Sequence, residues 1–215
     1  MVSDGPRSGA KLEGQLAIGA SLFFALAVVG QAVFRSDHSW VREEISQYAN
    51  GPGGWFQTVA FVVLGLGELA LGYGLWKAAA GSTLVRITSL LVAVGGLVDL
   101  TSAAFPIDPE GVTTTAGEIH DLAGMVGFFQ ALVSAVLFTR ARSGDLSWQT
   151  VRRASLAATV LLVIGFVGIV MGESGGWGGV AQRFMIFVIL GWYLVLGRHL
   201  VRGPGTTAAS AKIKG

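Results

Sequence analysis

The feature that constrains this chain most is the recurrence of apolar runs near twenty residues, at 16–34, 55–76, 84–105, 115–138, 154–171 and 181–200. A run of that length crosses a hydrocarbon layer of roughly 30 Å at about 1.5 Å per helical residue. Only 13% of the residues are charged, 52% are hydrophobic and the mean hydropathy is +0.63. With a charged share of about 25% usual for soluble domains, the chain falls outside that class. The expected fold is all-α: a polytopic membrane protein with six transmembrane helices. The first run follows Arg7 and Lys11 and contains Ala25-Leu26-Ala27, a small-residue pattern of the kind cleaved in signal peptides. Its length exceeds the roughly 7 to 15 residues of a signal core and the pattern lies deep inside it, so it reads as helix 1. Three parts result: a cytoplasmic tail at 1–15, a six-helix domain at 16–200 and a disordered cytoplasmic tail at 201–215.

Between the runs, local signals set the connections. Trp40, Val41, Glu44, Ile45 and Tyr48 recur at helical spacing, which predicts a short interfacial outer helix between helices 1 and 2. Asn50-Gly51-Pro52-Gly53-Gly54 must end it. Pro106 discourages Phe105 from continuing helix 3. Thr115-Ala116-Gly117-Glu118 matches a capping box that would open helix 4. Small residues at close spacing, Ala70 with Gly74 and Gly168 with Gly172, predict close helix approach. No half of the chain duplicates the other, which weighs against an inverted-repeat transporter.

Six crossings put both termini on one side. Twelve of the fifteen Lys and Arg fall on that side, leaving only Arg35, Arg42 and Arg183 across the membrane. By the positive-inside rule the chain is expected in the cell membrane as a multi-pass protein with both termini cytoplasmic. The basic residues are spread over termini and short loops without a stripe, so a nucleic-acid partner is not expected. Eight of the thirteen acidic residues, among them Asp37, Glu43, Glu44, Asp108 and Asp121, fall outside and give the outer mouth a negative bias. With no Cys, thiolate chemistry and Cys-based zinc sites are excluded.

Chemistry concentrates at 105–121, where Asp108, Glu110, Glu118, His120 and Asp121 lie between two apolar runs. His120 and Asp121 are adjacent on a helix and point about 100° apart, so they cannot form one dyad. Glu118 is accounted for by capping. Asp99, about two turns below the outer end of helix 3, reads either as the floor of an outward-facing cavity or as a protonated group bonded to a neighbouring helix. Glu68, nearer mid-membrane, reads as a proton site or a packing group and ranks below it. Arg183 opens helix 6 against the helix dipole, which calls for a partner among Asp99, Asp108 and Glu44, or for a lipid headgroup. Tyr48, Trp55 and Trp177 are interfacial anchors that could line a lipid-binding mouth. A three-His zinc centre cannot be built, because only His38 and His120 are outside, whereas a mixed His and carboxylate site can; no metal is assigned and no cofactor is named.

Ser46-Gln47-Tyr48-Ala49 with Pro52-Gly53-Gly54-Trp55, the Phe105-Pro106-Ile107-Asp108-Pro109 turn and His120 together resemble the bacterial and archaeal six-helix membrane family named domain of unknown function nine-nine-eight. The resemblance covers about residues 16 to 200 and implies an architecture without an assigned activity. The chain also superficially resembles ceramidase-like membrane hydrolases, whose zinc takes three His with Ser and Asp, a His count that fails here.

Two function classes follow. One is a membrane-embedded enzyme acting at the outer leaflet on a lipid or isoprenoid. In it His120 or Asp121 moves protons, Asp108 and Asp99 orient the substrate or stabilise positive charge, and Arg183 with Glu44, Tyr48 and Trp55 binds it. The other is a non-catalytic small-molecule carrier or a structural partner subunit, with membrane lipids as neighbours. A homodimer could supply the gated path for which one copy of this size has little room.

Overall fold

The computed structural model describes residues 9–203; of the tails expected at 1–15 and 201–215, residues 1–8 and 204–215 lie outside the described residues, whereas 11–15 and 201–202 are helical. Six α-helices follow in order: α1 Lys11–Phe34, α2 Trp55–Ala78, α3 Thr83–Ala104, α4 Thr115–Arg140, α5 Gln149–Gly175 and α6 Gly178–Arg202. Each is long and apolar enough to cross a membrane. The chain is an all-helical, multi-pass membrane protein. Leu26, Val33, Leu97 and Val170 are among the large apolar side chains left on the outside, where lipid is the matching solvent.

Each helix packs on its chain neighbours, and α6 returns to α1, so the six close into a ring. Glycines set how tightly the ring closes. A Cβ on Gly65 of α2 would lie 2.7 Å from the Gly96 carbonyl oxygen of α3, and one on Gly96 would lie 2.5 Å from that of Gly65. Backbone therefore meets backbone at the α2–α3 crossing. Gly172 does the same against Gly178 at the start of α6, on the small-residue face the sequence marks out.

Two short 3₁₀ turns complete the chain, at Ile45–Ala49 and Leu146–Trp148. The first stands where an interfacial helix was expected. Only its last part is helical, and Ile45 and Tyr48 are buried against α1, α2 and α6. Residues 41–48 are instead tied to α6, with the Val180 N–H donating to the Val41 carbonyl at 3.2 Å and the Ile45 N–H to Gln182 Oε1 at 2.7 Å. Tertiary partners thus replace the internal hydrogen bonds of a longer helix.

Two further boundaries differ from expectation for local reasons. The N-cap of α4 is Thr114, whose hydroxyl accepts from the Gly117 N–H at 3.2 Å, one residue before the predicted box. Glu118 consequently has no box partner, and Thr114 is selected because Asp108 holds it in place. Helix α1 starts at Lys11, ahead of its apolar run, because Glu13 pairs with Lys77 at 2.5 Å and Gly14 packs on Gly197.

The two faces of the bundle differ. At the face carrying both ends of the described chain, Phe138, Trp148, Trp192 and Leu196 fill the centre of the ring. The opposite face carries the connections at 35–54, 105–114 and 176–177. There the ring stays open.

Candidate functional site

A cavity of about 1310 Å³ enters the bundle at that second face. Loop residues from 37–50 and 107–113 form its mouth, and all six helices contribute wall residues. Phe24, Phe61, Leu64, Phe166 and Ile189 make the sides apolar. No residue of the 79–82 or 141–148 connections lines it, so it ends inside the bundle.

Its floor is polar. Glu68 lies about thirteen residues into α2, and Gln130 and Tyr193 about fifteen into α4 and α6, which sets them roughly 20 Å below the helix starts. Asp99 reaches the same group from α3. Gln130 Nε2 donates to the Tyr193 hydroxyl at 3.4 Å, and Glu68, Asp99, Gln130 and Tyr193 all line the same floor. Gly95 makes room for this cluster, since a Cβ there would lie 2.4 Å from both Glu68 Oε2 and Gln130 Nε2. Glu68 is 5% exposed, and its Oε2, like Asp99 Oδ2, has no hydrogen-bond donor among the described residues.

The mouth is built on α4. His120 is buried, and its Nδ1 lies 2.8 Å from the Phe105 carbonyl at the C-terminal end of α3. The ring is edge-on to Phe61. That carbonyl is an orphan acceptor of the helix end, so it fixes the tautomer with the proton on Nδ1. Nε2 makes no hydrogen bond within the described residues, and the side chain lines the cavity. Asp121, one position on, also lines it, as do Glu44 and Asp108. Glu44 is exposed, but it is exposed to a confined opening. Enclosure by the walls pushes its carboxyl above the ordinary range and the nearby Asp121 carboxylate adds to this, while Ser46 and His120 act the other way.

A family model described as a protein of unknown function, DUF998, matches residues 17–199. The chain belongs to the DUF998 family. Neither a curated protein nor a solved structure matches it.

Within this DUF998 domain the eight residues singled out from sequence separate into two groups. Asp99, Asp108, His120, Asp121 and Glu44 line one cavity, from its floor to its mouth. Asp108 also organises the loop: it accepts from the Thr114 N–H at 2.6 Å and from the Thr114 hydroxyl at 2.7 Å, against Gly117, where a Cβ would meet its carboxylate. Arg183, Tyr48 and Trp55 do not line the cavity. Arg183 is buried and donates to the Glu43 and Gly179 carbonyls at 2.7 and 3.0 Å and to the Tyr48 hydroxyl at 3.1 Å, with its guanidinium over the Tyr48 ring. These acceptors, rather than Asp99, Asp108 or Glu44, answer the charge at the start of α6. Trp55 stands exposed at the start of α2, as an interfacial anchor does.

Gln130, Gln182 and Tyr193 are among the cavity residues that the sequence does not single out. Gln130 and Tyr193 stand in otherwise apolar stretches of α4 and α6, and a polar side chain inside a membrane helix is the signal that would have found them. Among the described residues no three His, Asp or Glu side chains are grouped as metal ligands.

Proposed function

We propose that this DUF998 protein takes an amphipathic molecule of the lipid or isoprenoid class into its central cavity, with the acidic face outside the cytoplasm. The observation that carries the reading is the cavity of about 1310 Å³, apolar along its sides and polar at both mouth and floor. Small-molecule sites of about 300–1,000 Å³ combine apolar walls with a few placed polar groups, and this one is larger. A chain molecule would lie along Phe24, Phe61, Leu64 and Phe166, and its polar groups would meet carboxyl, amide and hydroxyl side chains. The excess of Lys and Arg at the other face supports the orientation.

Native mass spectrometry of protein purified in mild detergent tests this. Gly124 lines the cavity and a Cβ there meets nothing within 4 Å, so Gly124→Leu fills the space without disturbing the backbone. The wild type should retain an amphiphile mass and Gly124→Leu should lose it. Equal retention by both would contradict the reading.

One observation favours a catalytic use of the same cavity. His120 holds one nitrogen on a backbone carbonyl and presents the other to the cavity, which is how a general base is oriented. On that reading His120→Gln abolishes turnover of the retained molecule while leaving its retention unchanged; loss of both together would argue for binding alone.

A further inference from the structure

The floor of the cavity has a chemistry that the lipid-binding reading leaves unexplained. Glu68 of α2 and Asp99 of α3 both line the cavity deep in the bundle, each with one buried carboxyl oxygen that has no hydrogen-bond partner among the described residues. Two carboxyl groups facing one cavity floor favour a bound cation, because a positive charge there offsets the cost of ionising either of them. A charge at that depth needs a counter-charge. The described residues place none beside it. The basic side chains among the described cavity-lining residues are His38, Arg42 and His120, all in its upper part, and Arg183 is committed to Glu43, Gly179 and Tyr48.

The neighbours that do reach the floor are neutral. Gln130 donates to the Tyr193 hydroxyl, and Ser134 Oγ lies 3.5 Å from Gln130 Oε1. Glu68 Oε2 and Asp99 Oδ2 remain without donors although Glu68 is 5% exposed and both side chains line open cavity space. Gly95 keeps that space clear. A primary ammonium carries three N–H donors and one positive charge, which suits two free carboxyl oxygens and a neighbouring amide or hydroxyl oxygen.

We infer that the Glu68–Asp99 pair is a binding site for a monovalent cationic group, met either as the amine head of an amphiphile or as an alkali ion. The site excludes anionic heads by like charge and gives neutral heads no advantage. This rests on the proposal that the cavity takes an amphiphile, and it names the ligand class.

The test uses the full chain in zwitterionic lipid nanodiscs with three photoreactive probes of equal chain length: a dodecylamine, its neutral N-acetyl amide and a dodecanoate. Crosslinks are mapped by peptide mass spectrometry. The amine should label cavity-lining residues about tenfold more efficiently than the amide, and Glu68→Gln or Asp99→Asn should reduce it to the level of the amide. Sodium chloride suppressing amine labelling where N-methylglucamine chloride does not would support the site and identify an alkali ion as its other occupant. Equal labelling by all three probes would overturn the cationic site and leave the cavity reading standing. No labelling of the cavity by any probe would overturn both. Should either variant fail to fold, the comparison of probes on the wild type still decides.

Discussion

Arg183 carries the 43–48 loop rather than a ligand. Its guanidinium meets three oxygens across two segments and stacks on Tyr48, an arrangement that needs a planar fork. Arg183→Met leaves the Glu43 carbonyl without this donor and should lower stability by about 2–4 kcal/mol in a denaturation experiment, with Arg183→Lys recovering little of it. Retention of an amphiphile should not change, because Arg183 does not line the cavity. Glu44 gives the mouth a pH dependence. Its carboxyl is pushed above its ordinary value of 4.5, so the unfolded chain releases this proton first and Glu44 contributes stability that is present below 4.5 and lost as pH rises through the raised value. The thermal midpoint should therefore climb as pH falls toward 4.5, and Glu44→Gln should flatten that slope. Asp37 works in the opposite sense: Arg35 holds it down to about 2, so its contribution is present above 3.8 and fades only below it. A midpoint that falls steadily between neutral pH and 4.5 in the wild type would contradict the assignment to Glu44.

At the scale of elements, the crossing of α2 and α3 depends on two glycines whose backbones touch. Gly96→Ala drives a methyl into the Gly65 carbonyl and should cost about 1–3 kcal/mol, whereas Gly124→Ala, facing open cavity, should cost less than the ordinary helix preference for Ala returns. Denaturant titration of the two variants side by side checks the contrast. The helices were legible in the sequence because a twenty-residue apolar run has few other readings, and Pro106 marked the end of α3 within one residue. The stretch 40–48 was not. Its helical spacing is real, but Val180, Gln182 and Arg183, far along the chain, supply hydrogen bonds that hold it in another conformation. Thr114 and Thr115 offer the same cap, and the choice between them rests on Asp108, six residues earlier, whose carboxylate binds the Thr114 hydroxyl. Similarly, the charge at the start of α6 announced a partner without naming it, since backbone carbonyls and a tyrosine hydroxyl leave no charge signature in a sequence.

As a whole, the molecule is a ring of six helices packed shut at the face that carries both ends of the described residues and open at the acidic face. The sequence marks the carboxylates at the mouth and Asp99 beneath them, but not that Glu68, Gln130 and Tyr193 join Asp99 from three other helices, because the rotation of each helix about its axis is set by tertiary packing. Orientation is testable directly, since the chain has no Cys to confuse labelling. On intact cells a membrane-impermeant maleimide should modify Glu110→Cys and spare Ser143→Cys; the reverse pattern would invert the proposed topology. The central claim is that the acidic mouth and the Glu68–Asp99 floor belong to one water-reachable space. Ser102 lines that space one turn from Asp99, and Ser102→Cys is a small change. The deciding measurement is the rate at which small water-soluble thiol reagents, one cationic and one anionic, modify Ser102→Cys from the acidic face. Modification by both, faster with the cation, is the predicted result; no modification by either, while Glu110→Cys in the same preparation reacts, would contradict it.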